Sequence, residues 1–499
     1  MCPTVIPFVG SAVKEGIMSV FSDQLKDYIT RRGVTIRQLS VQTGIEYSFL
    51  YRITTGKRNP SSADMVNLLV RALALSKHES DALREAYEIA RVGESTYQRR
   101  AAVRQMLESV GQLPPPALAF QNSVRMEHLP EICTGRHQVH TLIKALLDQE
   151  CSLSGGQFRI IAQPNDPFLL ELLQVQTAHA PQMQVTQIVC FPNRPAEEDQ
   201  TIGLFAALLP LLLNLPNYSA HYYYGAAQSI SGKMALFPGL LLTSSAGVLF
   251  TADYTTALCC PAGGDHYRML EARFHECLEH CPPLMRPVSG LPAYLDSLQH
   301  FYHDMESASR EKSMILTPDF CYVPFLTSDI CDRVLSHHIP DRDRFVEKIM
   351  QQVSISHTLC ALQTTWHFTT ESGVRRFMAT GRFLDLPPGL YSPLTLEERR
   401  MLLRSFLDAV RTIPGYHVAL YDPAVLPFSP TLECTVMQNS THALFVTPLS
   451  DTAISSVDIQ EPIISGAIYD YFASLIDHPA VLSEEESLKR LYFLLDEFS

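Results

Sequence analysis

An all-α N-terminal bundle of five helices followed by a large α/β body is the fold class that this 499-residue sequence predicts. Three observations predict it. Residues 18–92 form a run of amphipathic segments punctuated by Gly and capping residues. Beyond the triple proline Pro114–Pro116, short apolar runs alternate with helical patterns, as in a sheet with parallel neighbours. Late in the chain, "ALFVTPLSDTAISS" (443–456) aligns without gaps to "VLFTADYTTALCCP" (248–261). The alignment reads as an internal repeat, a body of two similar halves, and chance likeness of two amphipathic ends stays open beside it.

The bundle is read element by element. "SDQLKDYITRR" is a helix capped by Ser22, with Leu25, Tyr28 and Ile29 at inward spacing and Gly33 ending it. Thr35 caps "TIRQLSVQT", and Gly44 supplies a turn. "EYSFLYRITTG" follows with Leu50 and Ile53 facing inward; Gly56 stops it, and Pro60 bars continuation past Lys57 and Arg58. A capping box at Ser61 and Asp64 starts "SADMVNLLVRALAL", and "ESDALREAYEIA" is the fifth helix. Residues 93–130 read as a basic helix and a stiff Pro-rich linker, 131–288 as the first α/β half and 289–499 as the second. In the first half, "QFRIIAQ", "QVTQIVCF" and "YSAHYYYG" are strands between helical stretches; in the second, "KSMILTP" and "YHVALYDP" are strands.

Charge separates the same two parts. Residues 1–110 carry 15 Lys+Arg against 11 Asp+Glu, and the remainder 24 against 41, within a total of −13. A mildly basic front on an acidic body argues against nonspecific coating of nucleic acid by the whole chain and for one polyanion-binding module. The twelve scattered cysteines read as reduced thiols, and "MCPTVIPFVGSAVKEGI" lacks the basic start of a secretory signal, with Met18 as an alternative start. The longest apolar run, "TIGLFAALLPLLLNLP" (201–216), contains a Pro and falls short of the roughly 20 residues that span a bilayer, so a buried helix is expected. A cytoplasmic protein without membrane contact is the expectation.

Thr35, Gln38-Leu39-Ser40, Gly44-Ile45, Ser48, Leu50, Arg52-Ile53, Gly56-Lys57-Arg58 and Pro60 resemble the helix-turn-helix of the Xre/Cro phage-repressor family, and the likeness covers residues 18–92. The resemblance implies that the second helix of the motif enters the major groove. Tyr47, Ser48 and Arg52 then fall where the family reads base edges, Arg52 by two hydrogen bonds to a guanine. Thr35, Thr55, Lys57 and Arg58 fall against phosphates. The sequence departs from the pattern at Ile36, often a polar contact in the family, and at the bulky Phe49. Family members bind paired half-sites as dimers, so a homodimer on a double-stranded operator is implied.

The body offers little chemistry. Its doubled strand-helix pattern faintly resembles the phospholipase D fold, whose enzymes carry His-x-Lys-x4-Asp in each half, with His as nucleophile. The nearest stretch, Ser231-Gly-Lys233 followed by Pro238, keeps only the Lys, and the stretch around "ECTVMQNSTHALF" has none. "GAAQSISGKM" (225–234) is misspaced for a P-loop, and no Gly-x-Ser-x-Gly elbow is present. Cys277, His280 and Cys281, with Cys259-Cys260 upstream, lack a fourth-ligand pattern for zinc and read as ordinary thiols. No metal or other cofactor is expected. Tyr222 and Tyr224 share one strand face and are candidates to line a ligand pocket, with packing as the plainer role. The function these readings imply is a non-enzymatic, one-component transcription regulator with a sensing and dimerising body and an unidentified small-molecule or protein effector. The alternatives are a DNA-associated, degenerate phosphodiesterase or nuclease, and a phage or toxin–antitoxin repressor that binds a protein partner.

Overall fold

The computed structural model describes residues 20–110, 128–225, 236–289 and 312–498, apart from a few isolated positions within these spans, together with 295, 296 and 299. The chain divides into two units, with the boundary between Arg99 and Arg100. The Pro114–Pro116 spacer and the Ser231–Lys233 stretch lie outside the described residues.

The N-terminal unit is helical: α1 (Val20–Arg31), α2 (Ile36–Thr43), α3 (Tyr47–Thr54), α4 (Ala63–Ala72) and α5 (Lys77–Val92). Phe21, Leu25, Leu39, Leu50, Ile53 and Leu83 close one small core among them. Two capping expectations are corrected. Ser22 lies inside α1 and is fully buried, because the helix begins two residues earlier than its polar cap signal. Ser62, not Ser61, caps α4 by accepting from the Met65 amide at 3.3 Å. Ser76 and Glu79 form a reciprocal capping box on α5 that the sequence reading starts later.

A sixth helix, α6 (Glu94–Ser109), leads into the body. Its Val103, Met106 and Leu107 are buried in the body's core, and Arg100 pairs with Asp470 at 2.8 Å. The second half of this basic helix is therefore a packed element of the body, not a spacer.

The first sheet of the body is built from β1 (Ile132–Thr134), β2 (Gln157–Ile161), β3 (Gln184–Pro192), β4 (Tyr218–Gly225), β5 (Gly239–Leu242), β6 (Ala246–Phe250) and β7 (Thr256–Pro261). The helices α7 (Arg136–Cys151), α8 (Pro167–His179), α9 (Glu198–Asn214) and α10 (Asp265–Glu279) connect and cover it. The second sheet contains β8 (Met285–Ser289), β9 (Lys312–Leu316), β10 (Thr364–Thr369), β11 (Tyr416–Leu420), β12 (Glu433–Met437), β13 (His442–Pro448) and β14 (Ile454–Gln460). Its helices are α11 (Ser328–Val334), α12 (Arg342–Leu362), α13 (Glu371–Thr380), α14 (Leu396–Thr412), α15 (Pro462–Leu475) and α16 (Glu484–Glu497).

Strand order is β1-β7-β6-β5-β2-β3-β4 in one sheet and β8-β14-β13-β12-β9-β10-β11 in the other. The two orders are the same, strand for strand. Directions agree as well. The β2-β3-β4 and β9-β10-β11 ladders are parallel, and the remaining pairs in both sheets are antiparallel. The ungapped alignment of 248–261 with 443–456 runs over β6-β7 and β13-β14, so it marks equivalent hairpins. The half boundary expected at 288 falls inside β8, a strand of the second sheet.

One core runs across both halves: Phe205 on α9 and Phe445 on β13 approach to 6.4 Å between ring centroids. The apolar run 201–216 forms most of α9, with Pro210 inside the helix and Leu208, Leu209, Leu211, Leu212 and Leu213 buried, as expected. Among the described residues, no helix is long and apolar enough to cross a membrane.

Candidate functional site

In the N-terminal unit, local chemistry fixes where α3 points. Thr35 accepts from the Gln38 amide while the Gln38 side chain accepts from the Thr35 amide, which sets the start of α2. Gly44 takes φ +71°, the left-handed conformation that L side chains rarely adopt, and ends the helix. The Ser40 hydroxyl donates to the Ile45 carbonyl at 2.6 Å and ties the turn. Leu50 and Ile53 are fully buried, so the opposite face of α3 is forced outward.

That outer face carries Tyr47, Ser48, Tyr51, Arg52 and, just past the helix, Thr55, at positions i, i+1, i+4, i+5 and i+8. Tyr47, Tyr51 and Arg52 are exposed, and Ser48 is half-buried with its hydroxyl on Glu46. Tyr51 was not singled out from the sequence. It stacks on Tyr47 at 6.5 Å with 20° between planes, and the i, i+4 repeat of tyrosine was the available signal.

Past α3, Gly56 lies at φ +72°, and the amides of Lys57 and Arg58 donate to the Arg52 carbonyl at 2.9 and 3.2 Å. This closure holds the two cations at the C-terminal end of the helix. Elsewhere in the unit, Arg31, Arg32, Arg84 and Arg91 each hold a carboxylate. Among the described residues, Arg52, Lys57 and Arg58 hold none, as is also true of Lys26, Arg37 and Arg71.

The two departures from the family pattern have packing explanations. Ile36 and Phe49 are partly buried against the small core, and the Arg58 guanidinium lies 5.1 Å from the Phe49 ring. The hydroxyls of Thr35 and Thr55 already serve their own helices, Thr55 donating to the Tyr51 carbonyl at 2.8 Å.

In the body, Tyr222 and Tyr224 sit on β4 as expected from the sequence, and their hydroxyls are engaged with the second half. Tyr222 donates to the Gln460 carbonyl at 3.3 Å, and Tyr224 to the Glu461 carboxylate. Glu461 is fully buried and caps α15, accepting from the amides of Ile463 and Ile464 at 3.1 and 2.6 Å. Burial pushes its carboxyl above the usual range, against the lowering effect of those donors. The tyrosines thus stitch the halves together, the packing role.

The stretch preceding β12 is the topological counterpart of the Lys233 stretch that precedes β5. It reads Val425 to Leu432, contains no His, Lys or Asp, and buries Leu426, Phe428 and Leu432 in the core. Cys277 and Cys281 belong to the α10 region, and among the described residues no three His, Cys, Asp or Glu side chains converge on a metal position.

No family model and no curated protein matches the chain. Among solved structures, it is similar to polyphosphate kinase from Porphyromonas gingivalis over 88% of this chain and 63% of that one, at 8% identity and a TM-score of 0.22. It therefore spans less than two thirds of that enzyme. It is also similar to phosphatidylserine synthase from Haemophilus influenzae Rd KW20, over 80% of this chain and 97% of that one, at 12% identity and a TM-score of 0.24. At these scores neither likeness carries weight for activity.

Proposed function

We propose that the protein is a sequence-specific DNA-binding regulator of the Xre/Cro type, with α3 as its major-groove helix. The observation that carries this reading is the outward face of α3, where Arg52 stands without a carboxylate between a tyrosine pair and the Lys57-Arg58 flank. In the proposal Tyr47, Ser48 and Arg52 read bases, while Thr35, Thr55, Lys57 and Arg58 meet phosphates through their amides or cationic tips. The acidic body stays off the duplex, dimerises the protein in the cytoplasm and senses an effector, which must bind the DNA-competent and incompetent states unequally.

The test is operator selection with purified full-length protein, followed by two variants. Arg52→Ala is expected to cost about 1–3 kcal/mol at one base position and to relax specificity there. Lys57→Ala is expected to weaken all sequences alike and to lower the salt slope by about 1. Binding of both variants indistinguishable from wild type would remove α3 from the interface.

A second reading is favoured by the duplicated sheets: a phosphodiesterase-like body delivered to DNA. Such enzymes assemble their nucleophile and acid from both halves, and two sheets of the same strand order supply that frame. Against it stands the apolar stretch 425–432, which has no His, Lys or Asp at the place that corresponds to the Lys233 stretch. Assay with bis-p-nitrophenyl phosphate decides. No turnover by the wild type ends the reading, and turnover that survives Lys233→Ala takes that lysine out of it.

A further inference from the structure

The outward face of α3 carries more aromatic surface than the family likeness uses. Tyr47 and Tyr51 are 51% and 48% exposed and are neighbours at i and i+4. Their ring centroids lie 6.5 Å apart with 20° between planes, so the pair forms a nearly flat aromatic strip along the helix. One exposed tyrosine is ordinary on a protein surface. Two that stack on one another, on the face that the buried Leu50 and Ile53 turn outward, make a shaped contact surface. The likeness to the repressor family places Tyr47 on base edges and leaves Tyr51 without a role.

The rim of the strip says what it meets. Arg52 follows Tyr51, and Lys57 and Arg58 lie just past the helix end; all three are exposed, and none holds a carboxylate among the described residues. A cationic rim suits a polyanion. On the floor of the major groove the base edges display hydrogen-bonding groups, and the thymine 5-methyl is the apolar group among them. A ring laid on any other edge strips water from a donor or acceptor without replacing its hydrogen bond, which costs free energy. A thymine methyl is therefore the match for the strip. The centroid spacing covers about two base steps of roughly 3.4 Å, so each ring meets a different base pair. Stacking also orders the rings before contact, so less side-chain freedom is lost on binding.

We propose that Tyr51 is a specificity-determining residue: with Tyr47 it reads, through the rings, the 5-methyl groups of two thymines in each operator half-site, beside the base met by Arg52. This rests on the DNA-binding reading for the docking of α3, and adds to it the identity of two bases and a role for Tyr51.

The test uses the full-length protein and the operator it selects, with each thymine in turn replaced by deoxyuridine, which lacks only the 5-methyl. Loss of one buried methyl is expected to weaken wild-type binding about fourfold, at two thymines of each half-site. Tyr51→Ser is expected to abolish the response at one of these thymines, and Tyr47→Ser at the other. Tyr51→Phe keeps the ring and is expected to keep the response. Both side chains are exposed, so the variants are expected to fold, which a thermal melt checks. The proposal is overturned if no thymine responds to loss of its methyl, if Tyr51→Ser responds like wild type, or if Tyr51→Phe loses the response. It is equally overturned if Tyr51→Ser turns a dimer into a monomer with the uridine response intact, which gives the pair to a subunit contact. The DNA-binding reading survives each of these results, because an operator is still selected and still depends on Arg52. Failure to select any operator removes both.

Discussion

Two pairs of residues occupy the same place in the two sheets and are treated differently. In the first, β3 pairs with β4 so that Val185 meets Tyr218, and Gln187 lies two residues further along. In the second, β10 pairs with β11 so that Thr365 meets Tyr416, and His367 lies two residues further along. Gln187 and Tyr218 satisfy one another: the hydroxyl donates to Oε1 at 2.8 Å, and Nε2 donates to the Ala162 carbonyl at 2.9 Å. His367 and Tyr416 only pack, with ring centroids 4.6 Å apart. Among the described residues neither imidazole nitrogen has a hydrogen-bond partner, and the Tyr416 hydroxyl has none beyond the neighbouring thiols of Cys321 and Cys360. One architecture thus contains a closed polar pair in one half and an open, titratable one in the other. The lesson is that shared topology fixes where a polar group is buried, and the local partners decide what its burial costs.

The open pair gives the largest expected effect. Complete burial, with a smaller contribution from His417, lowers the His367 pKa from 6.5 to about 3. His367 is therefore neutral in the fold, whereas in the unfolded chain it takes up a proton below pH 6.5. Between those two values the unfolded state binds more protons, so stability is lost as pH falls. The loss is about 1.4 kcal/mol per pH unit, or about 2 kcal/mol by pH 5, and it levels off near the folded pKa. Above pH 6.5 the contribution is flat. His367→Gln recreates the pair of the first half, with the new amide accepting from Tyr416. Urea denaturation at pH 7.5 and pH 5 is expected to show the wild type weakening more than this variant. Equal weakening would mean that the imidazole is not the group being protonated.

The hydroxyls sharpen the contrast at smaller scale. Tyr218→Phe strips Gln187 of its donor and is expected to cost about 1–2 kcal/mol, because the amide oxygen stays buried without a partner. Tyr416→Phe removes a hydroxyl that is already poorly satisfied and is expected to be neutral or slightly stabilising. Both positions are about 1% exposed, so solvent does not blur the comparison. Equal costs for the two substitutions would show that the pairs are not distinct.

How much of this was legible from sequence depends on the kind of signal. The five N-terminal helices were legible because Gly33, Gly44 and Gly56 and the cap at Thr35 are local features, and the buried pair Leu50 and Ile53 fixes which face of α3 is outward. Tyr51 escaped notice although its i, i+4 spacing from Tyr47 was a local signal, because spacing alone does not separate an exposed aromatic from a packed one. The repeat was visible at the β6-β7 and β13-β14 hairpins, where both halves keep the same alternation, and at the helices after them, where Ala272 aligns with Ala467 and Phe274 with Tyr469. It was hidden elsewhere because the second half inserts α11 and lengthens α12. Trp366 and His367 lie on β10, a strand the sequence reading left unassigned, since Thr, His and Trp do not make a continuous apolar run. The burial of Gln352 was not legible at all. Gln352 is an ordinary helix residue until tertiary packing buries it.

The seam between the halves carries the smallest expected effect. Tyr222 is 7% exposed and donates to the Gln460 carbonyl at 3.3 Å, a long bond beside a large shared core. Tyr222→Phe keeps the ring and its contact with Phe191, so it is expected to cost only about 0.5–1 kcal/mol. Because Phe205, Phe445 and their neighbours still join the sheets, the body should keep a single unfolding transition with an unchanged denaturant slope. A split into two transitions would show instead that the polar stitches couple the halves and that the shared apolar core alone does not. An unchanged melt with altered ligand binding would return Tyr222 to the role of a pocket residue. The comparison of the halves thus holds only while the apolar seam dominates, and a single-atom change at Tyr222 tests that.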